Sequence, residues 1–197
     1  GEHRMGGRRV RYCGSCSGSL FNGSKVVMVG GGNSAVTEAL YLSHMGADVS
    51  LIHRRDNLRA QDVLARQLEE NQIPILWNTE IKEIRGRERV EEIEIYNNQS
   101  GETSTMKTDG VFIAIGYTPA VDLAESMGLE LSEDGYIKHD GKHRTNIPGI
   151  YSAGDVEGGY KQIVTATGQG AEAAMTIFED LINPYWLDQR EKGVATG

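Results

Sequence analysis

No apolar run in the chain approaches the ~18 residues that a membrane-crossing helix requires, and no cationic-then-apolar leader opens it. A broad basic surplus is missing as well, since 28 acidic against 20 basic residues leave a net charge of −8. The one dense basic cluster in the body of the chain, His53 to Arg59, is local. That argues against a nucleic-acid surface, which needs a wide basic face. Cysteine is nearly absent: Cys13 and Cys16 are the only two in 197 residues. Zinc at that spacing would need two further ligands, and the histidines (3, 44, 53, 139 and 143) show no clear ligand pairing. No internal repeat or low-complexity segment occurs. The composition, 39% apolar and 24% charged, is that of a globular cytoplasmic protein. The opening GEHRMGGRRVRYC, with Gly1 in place of Met, reads as a mid-protein connector, so the expectation is an excised domain.

What is present reads as α/β. Val26 to Val29 form an apolar run ending in Gly30-Gly31-Gly32, as in a parallel strand buried on both faces. A helix is predicted from about Asn33 to Met45, with Gly46 ending it. Asp48 to His53 is a second strand. Asp56 is read as the cap of a second helix running to about Asn71, and IPILW as a third strand. Strand–helix–strand–helix–strand is a doubly wound signature. Glu80 to Lys107 reads as a hairpin or small meander, and Asp109 to Gly116 as a further buried strand. After residue 118 the texture changes to a short helix near Val121 to Met127, a strand near Gly135 to Lys138 and a long helix from about Gln162 to Ile182. Trp77, Met127 and Phe178 are expected to fill cores.

The segment VMVGGGNSAVTEAL carries Gly30-x-Gly32-x-x-Ala35 between the first strand and helix. Gly30 allows the tight turn, Gly32 lets a pyrophosphate approach the backbone, and Ala35 lets the helix pack close. An NAD-type site would carry an acid at the end of the second strand, but this strand ends His53-Arg54-Arg55-Asp56-Asn57-Leu58-Arg59. Guanidinium groups there would neutralise a 2′-phosphate, which predicts NADPH. The bland alternative is a solvated basic helix start, which opposes the helix macrodipole.

Cys13-Gly14-Ser15-Cys16 has the spacing of a dithiol–disulfide pair at a turn. A cytoplasmic disulfide is most often catalytic or redox-sensing. Hydride carries two electrons and a disulfide accepts two, with a flavin commonly mediating.

Together, YCGSCSG, VGGGNSAVTEALYLS, LIHRRDNLRAQ, GVFIAIGYTP, IPGIYSAGDV and KQIVTATGQGAEAA resemble the low-molecular-weight thioredoxin reductases, in that family's order. The resemblance implies a Rossmann-like three-layer NADPH-binding domain with a β-meander over residues 1–118, bearing the redox pair. It implies the C-terminal portion of an incomplete second, FAD-binding domain over 119–184, and a flexible tail over 185–197. Gly30, Gly32, Asn33, Ser34 and Ala35 would hold the NADPH pyrophosphate, and His53, Arg54, Arg55 and Arg59 the 2′-phosphate. Cys16 would face the flavin and Cys13 would attack the disulfide of thioredoxin or a thioredoxin-like protein. Gly154, Asp155, Lys161, Gln162 and Ile163 would contact FAD. No metal is implied, and a homodimer is.

Two departures from the family pattern stand out. Ser17 replaces the acid that usually follows the second cysteine, and a serine cannot buffer a proton near neutral pH. Only one Gly-x-Gly-x-x-Ala is present, so the family's first flavin-binding half is missing and FAD is expected to bind poorly. Two other readings share these motifs: a flavoprotein subunit feeding a peroxidase, and a non-catalytic NADPH-binding redox sensor.

Overall fold

The computed structural model describes residues 1–187. Within them the chain forms two compact units, Gly1–Gly116 and the segment from Tyr117 onward. The first unit opens with helix α1 (Glu2–Met5), strand β1 (Val10–Arg11), helix α2 (Gly14–Ser17) and a 3-10 turn (Gly18–Phe21). It continues through β2 (Lys25–Gly30), α3 (Asn33–His44), β3 (Asp48–Ile52), α4 (Asp62–Glu70) and β4 (Ile75–Leu76). Strands β5 (Thr79–Arg85), β6 (Glu92–Asn97) and β7 (Thr103–Lys107) follow, then β8 (Gly110–Ala114).

A parallel sheet of order β1-β8-β2-β3-β4 lies at the centre of this unit, and β5-β6-β7 form an antiparallel meander. Strand β2 is apolar on both faces because both are covered. Val26 and Met28 join Ala35, Leu42, Leu51 and Leu68 in one core. Val27 joins Ile52, Ile84, Ile93 and Val111 in the other. The layers are therefore helices, parallel sheet and meander, as the family resemblance implies. The doubly wound pattern is altered in one respect: α3 and α4 both feed the first core, and the meander's alternating isoleucines cover the opposite face.

Asp56 does not cap a helix. Helix α4 starts at Asp62 with Gln61 as its N-cap. Residues 56–61 form a loop because the Arg59 and Ala60 N–H groups donate to the Gly31 carbonyl at 2.7 and 3.1 Å. The Gln61 N–H donates to Asn33 Oδ1 at 2.9 Å. These distant partners outcompete a local cap. The two-residue β1, too short to leave a periodic trace, is held by pairing Val10 with Val111.

The second unit contains α5 (Asp122–Ser126), a 3-10 turn (Asp155–Glu157) and α6 (Ile163–Ile182). Its core is small: Val121, Ala124 and Ile137, with Leu129, Leu131 and Val156 against them. The strand expected at residues 135–138 reduces to an isolated bridge between Leu131 and Ile137. Phe178 is 65% exposed and Met127 44%, contrary to the expectation that they fill cores, and Trp77 is 36% exposed. Among the described residues of this unit no sheet lies on the apolar face of α6. The expected loose tail falls largely on residues 188–197, which lie outside the described residues.

Polar contacts hold the C-terminal half of α6. Asp180, 2% exposed, accepts from Arg144 Nε and Nη2 at 2.7 and 2.6 Å and from the Tyr151 hydroxyl at 2.7 Å. A bidentate guanidinium is the strongest partner a buried carboxylate commonly finds. Arg144 accordingly holds the Asp180 carboxyl below the usual carboxylate range, with Tyr151 reinforcing it. The unfolded chain takes up this proton first as pH falls, so the stabilisation is complete above about pH 4 and lost through the lower folded value. Asp180→Asn should destabilise the second unit by about 2 kcal/mol at neutral pH and flatten the acid limb of its stability curve. Denaturant unfolding followed by tyrosine and tryptophan fluorescence at pH 7 and pH 3 measures both effects.

Candidate functional site

A cavity of about 460 Å³ opens in the first unit beside the glycine turn, lined by Val29, Gly30, Gly31, His53, Arg54 and Arg59 and by meander residues from Thr79 to Ile84. Each glycine has its own reason to be there. A Cβ on Gly30 would overlap the Ala114 carbonyl oxygen and lie 2.7 Å from the Ala35 methyl, and its φ of 152° disfavours a side chain. A Cβ on Gly31 would overlap the His53 ring. Gly32 meets nothing within 4 Å, so its freedom faces open space. It is the N-cap of α3 and makes no side-chain cap bond, which leaves the first N–H groups of a twelve-residue helix available to an anion. Ser34 is exposed in that first turn, while Asn33 spends its side-chain oxygen on Gln61.

Charge at the tip of β3 comes from the arginines. Arg54, Arg55 and Arg59 are exposed, and none forms an ion pair among the described residues. Arg54 and Arg59 line the cavity; Arg55 does not. His53 differs. It is 5% exposed, and its Nε2–H donates to the Asn57 carbonyl at 2.9 Å. Burial holds its pKa below the ordinary value; the Asn57 bond opposes this and the arginine charges reinforce it. Its imidazole supplies shape under Gly31, not charge.

Cys13 and Cys16 form a disulfide across α2. Cys13 is the N-cap, and its sulfur accepts the Cys16 N–H at 3.1 Å; the Ser15 hydroxyl lies 3.4 Å away. Cys16 is exposed and Cys13 half-buried. Helix α2 packs on α3, where Glu38 lies against Gly14: a Cβ there would stand 3.5 Å from Glu38 Oε2. Glu38 Oε2 is buried and no donor meets it in hydrogen-bonding geometry. Burial pushes the Glu38 carboxyl up, against a weaker pull from the Gly14 N–H. The sequence offers no signal for this carboxyl, because only the packing of α2 on α3 makes it a neighbour of the disulfide helix.

In the second unit Gly154 has a φ of 86° and donates its N–H to Gln169 Oε1 at 3.1 Å. Asp155 is exposed at the start of the 3-10 turn. Lys161 Nζ lies 4.7 Å over the Tyr136 ring. Gln162 is the N-cap of α6, and Ile163 is 89% exposed. His139 and His143, which show no ligand pairing in the sequence, converge on Glu157.

A glycine turn at a helix start, a strand tip of arginines with no ion pair among the described residues, and a disulfide thus lie in one unit. Residues 1–170 match the pyridine nucleotide-disulphide oxidoreductase family, and the chain belongs to it. Its similarity to thioredoxin reductases is extensive: it is 43% identical to that of Bacillus subtilis over 180 residues, covering 90% of this chain and 57% of that protein. With that of Listeria innocua it is 42% identical over 176 residues, covering 88% and 55%. The solved thioredoxin reductase of Streptococcus pyogenes superposes with a TM-score of 0.83 at 37% identity, covering 92% of this chain and 60% of that one. The chain thus spans a little over half the length of the curated relatives it matches. The resemblance read from the motifs is borne out.

Gly30→Ala should cost about 2 kcal/mol or more, because the new methyl strikes backbone. Gly32→Ala should leave the unfolding midpoint nearly unchanged; chemical denaturation of the two variants tests the contrast. Glu38→Gln removes a negative charge beside the reduced pair, so the first thiol pKa, followed by thiolate absorbance, should fall by roughly one unit.

Proposed function

We propose that the chain carries the NADPH-binding and disulfide-bearing portion of a flavoprotein disulfide reductase whose substrate is a thioredoxin or thioredoxin-like protein. One observation carries this reading: a Cys13–Cys16 disulfide shares a compact unit with a glycine turn flanked by three arginines that have no ion pair among the described residues. Clustered cations without partners repel one another, an arrangement best understood as a phosphate site.

The residues fit the coenzyme. Gly32 leaves room for a pyrophosphate at the N–H groups of Asn33, Ser34 and Ala35, while Gly30 keeps the turn tight. Arg54 and Arg59, with Arg55 beside them, would hold the 2′-phosphate, and His53 would shape the floor. For FAD, the exposed Asp155 carboxylate after the left-handed Gly154 suits ribityl hydroxyls, and Lys161, Gln162 and Ile163 at the start of α6 would lie beside the ring system. When bound, these groups supply a hydride from NADPH and, through FAD, two electrons for a disulfide.

The chain's own sulfurs supply the rest. The Cys16 N–H directed at Cys13 Sγ favours the anion on Cys13. Cys13 thiolate attacks one sulfur of the partner's disulfide, giving a mixed disulfide and a partner thiolate. Cys16 thiolate then attacks Cys13 Sγ and expels the partner sulfur bound to it, restoring Cys13–Cys16 and releasing the partner with both of its sulfurs reduced. Ser17 cannot store the proton this exchange moves, but the Glu38 carboxyl packed on Gly14 can. The reading includes a homodimer and a cytoplasmic setting, where pools of reducing thiols keep such a pair in turnover.

Titration of the protein with NADPH and NADH, followed by calorimetry, tests this. NADPH should bind at least tenfold more tightly, given ~1.5–3 kcal/mol for a hydrogen bond to a charged group. The Arg54→Ser/Arg59→Ser double variant should lose that preference. A preference unchanged by the double variant would remove the proposed electron source.

A further inference from the structure

We propose that His139, His143 and Glu157 form a binding site for a divalent transition-metal ion of the zinc type, independent of the dinucleotide and disulfide chemistry. The ligand atoms of these three side chains lie within 4.8 Å of one another. His143 Nδ1 is 3.0 Å from both carboxylate oxygens of Glu157, and His139 Nδ1 is 3.5 Å from Oε1. Metal–ligand bonds near 2.0–2.1 Å in a tetrahedral shell place ligand atoms about 3.3 Å apart. The two histidine-to-carboxylate spacings straddle that value, and a turn of the His139 ring completes the convergence.

The surroundings are those of a built site. The Glu157 side chain is 1% exposed and the His143 side chain 7%. The Ser152 hydroxyl donates to Glu157 Oε1 at 2.6 Å, which orients the carboxylate. His143 Nε2 is 3.2 Å from Glu172 Oε2, so an Nε2–H donating there leaves the Nδ1 lone pair directed at the centre. A carboxylate behind a ligating imidazole is the usual second partner of such histidines. His143 also adopts a φ of 66°, a left-handed conformation that is uncommon for a residue with a side chain. Backbone strain of this kind persists where surrounding contacts over-determine it.

The loop sets the two imidazoles side by side. Asp140 Oδ1 accepts from the Lys142 and Arg144 N–H groups at 2.8 and 3.0 Å, curling residues 139–144. The rings of His139 and His143 then stack within 5° of parallel, centroids 5.6 Å apart. His139 is the accessible ligand, with 29% of its side chain exposed, and gives the ion its entry path. It must exchange its 2.7 Å contact with the Asp140 carbonyl for the metal by turning its ring. Two imidazoles and one carboxylate suit zinc, cobalt, nickel or ferrous ions, and leave a fourth position for water. The bound ion would tie the 139–143 loop to the turn at residues 155–157.

The test is calorimetric titration of the oxidised, metal-free protein with Zn²⁺; Cys13 and Cys16 stay disulfide-bonded and cannot compete. Co²⁺ titration, read by visible absorption, reports the geometry. One ion per chain should bind, with a tetrahedral cobalt spectrum. His139→Gln should weaken binding at least tenfold, Glu157→Gln should abolish it, and Glu172→Gln should weaken it about tenfold or more. Glu157 is buried and its variant can lose structure, so His139→Gln, on the exposed side, stands as the independent arm, with circular dichroism as the fold check. Absence of binding, or binding untouched by His139→Gln, would mean the cluster is a plain histidine–carboxylate ion pair and would overturn the assignment.

Discussion

The carbonyl of Gly31 accepts two backbone N–H groups, from Arg59 and Ala60, and much of the first unit's chemistry depends on that junction. It binds the loop that follows β3 onto the glycine turn that follows β2. The arginines therefore stand over the start of α3 and not somewhere along a second helix. The junction is possible only because Gly31 lacks a side chain: the space its Cβ would take is filled by the His53 ring. His53 is in turn anchored to Asn57, inside the same loop. One backbone oxygen and one buried imidazole thus convert two separate sequence motifs into a single surface.

Electrostatics follow from that geometry. Exposed guanidinium groups held near a helix N-terminus would be unfavourable in isolation, since the helix end is itself positive. The backbone clamp supplies the compensation within the folded chain, and a dianionic phosphate would supply more. Burial lowers the proton affinity of His53 among these cations, which limits the repulsion. Glu38 poses the opposite problem at α2: a carboxyl that packing holds in a half-buried site, where burial raises its proton affinity against a weaker pull from the Gly14 N–H.

The second unit is organised differently. Its apolar core is small, and polar clusters carry much of the order: Arg144 and Tyr151 on Asp180, and His143 between Glu157 and Glu172. Helix α6 buries Ala173, Thr176 and Asp180 while exposing Ile163, Val164, Phe178 and Leu181. Its sequence has the composition of a buried helix, but burial is a property of what lies alongside.

Local sequence was sufficient wherever periodicity and turn chemistry coincide. Strand β2, the glycine turn, helix α3, β3 and the meander follow from apolar patterning (a continuous run in β2, helical spacing in α3, alternation late in the meander) and glycine placement. The Cys13–Cys16 pair was legible too: three residues of separation suffice to form it. What the sequence could not state were partnerships between distant segments. Asp56 reads as a cap until Gly31 claims the loop, and Phe178 reads as core until the neighbours of α6 are known. His139 and His143 look unrelated to any acid until a loop and a 3-10 turn bring Glu157 between them. In each case the deciding energy comes from hydrogen bonds or burial across tens of residues, and only the folded chain sets those distances.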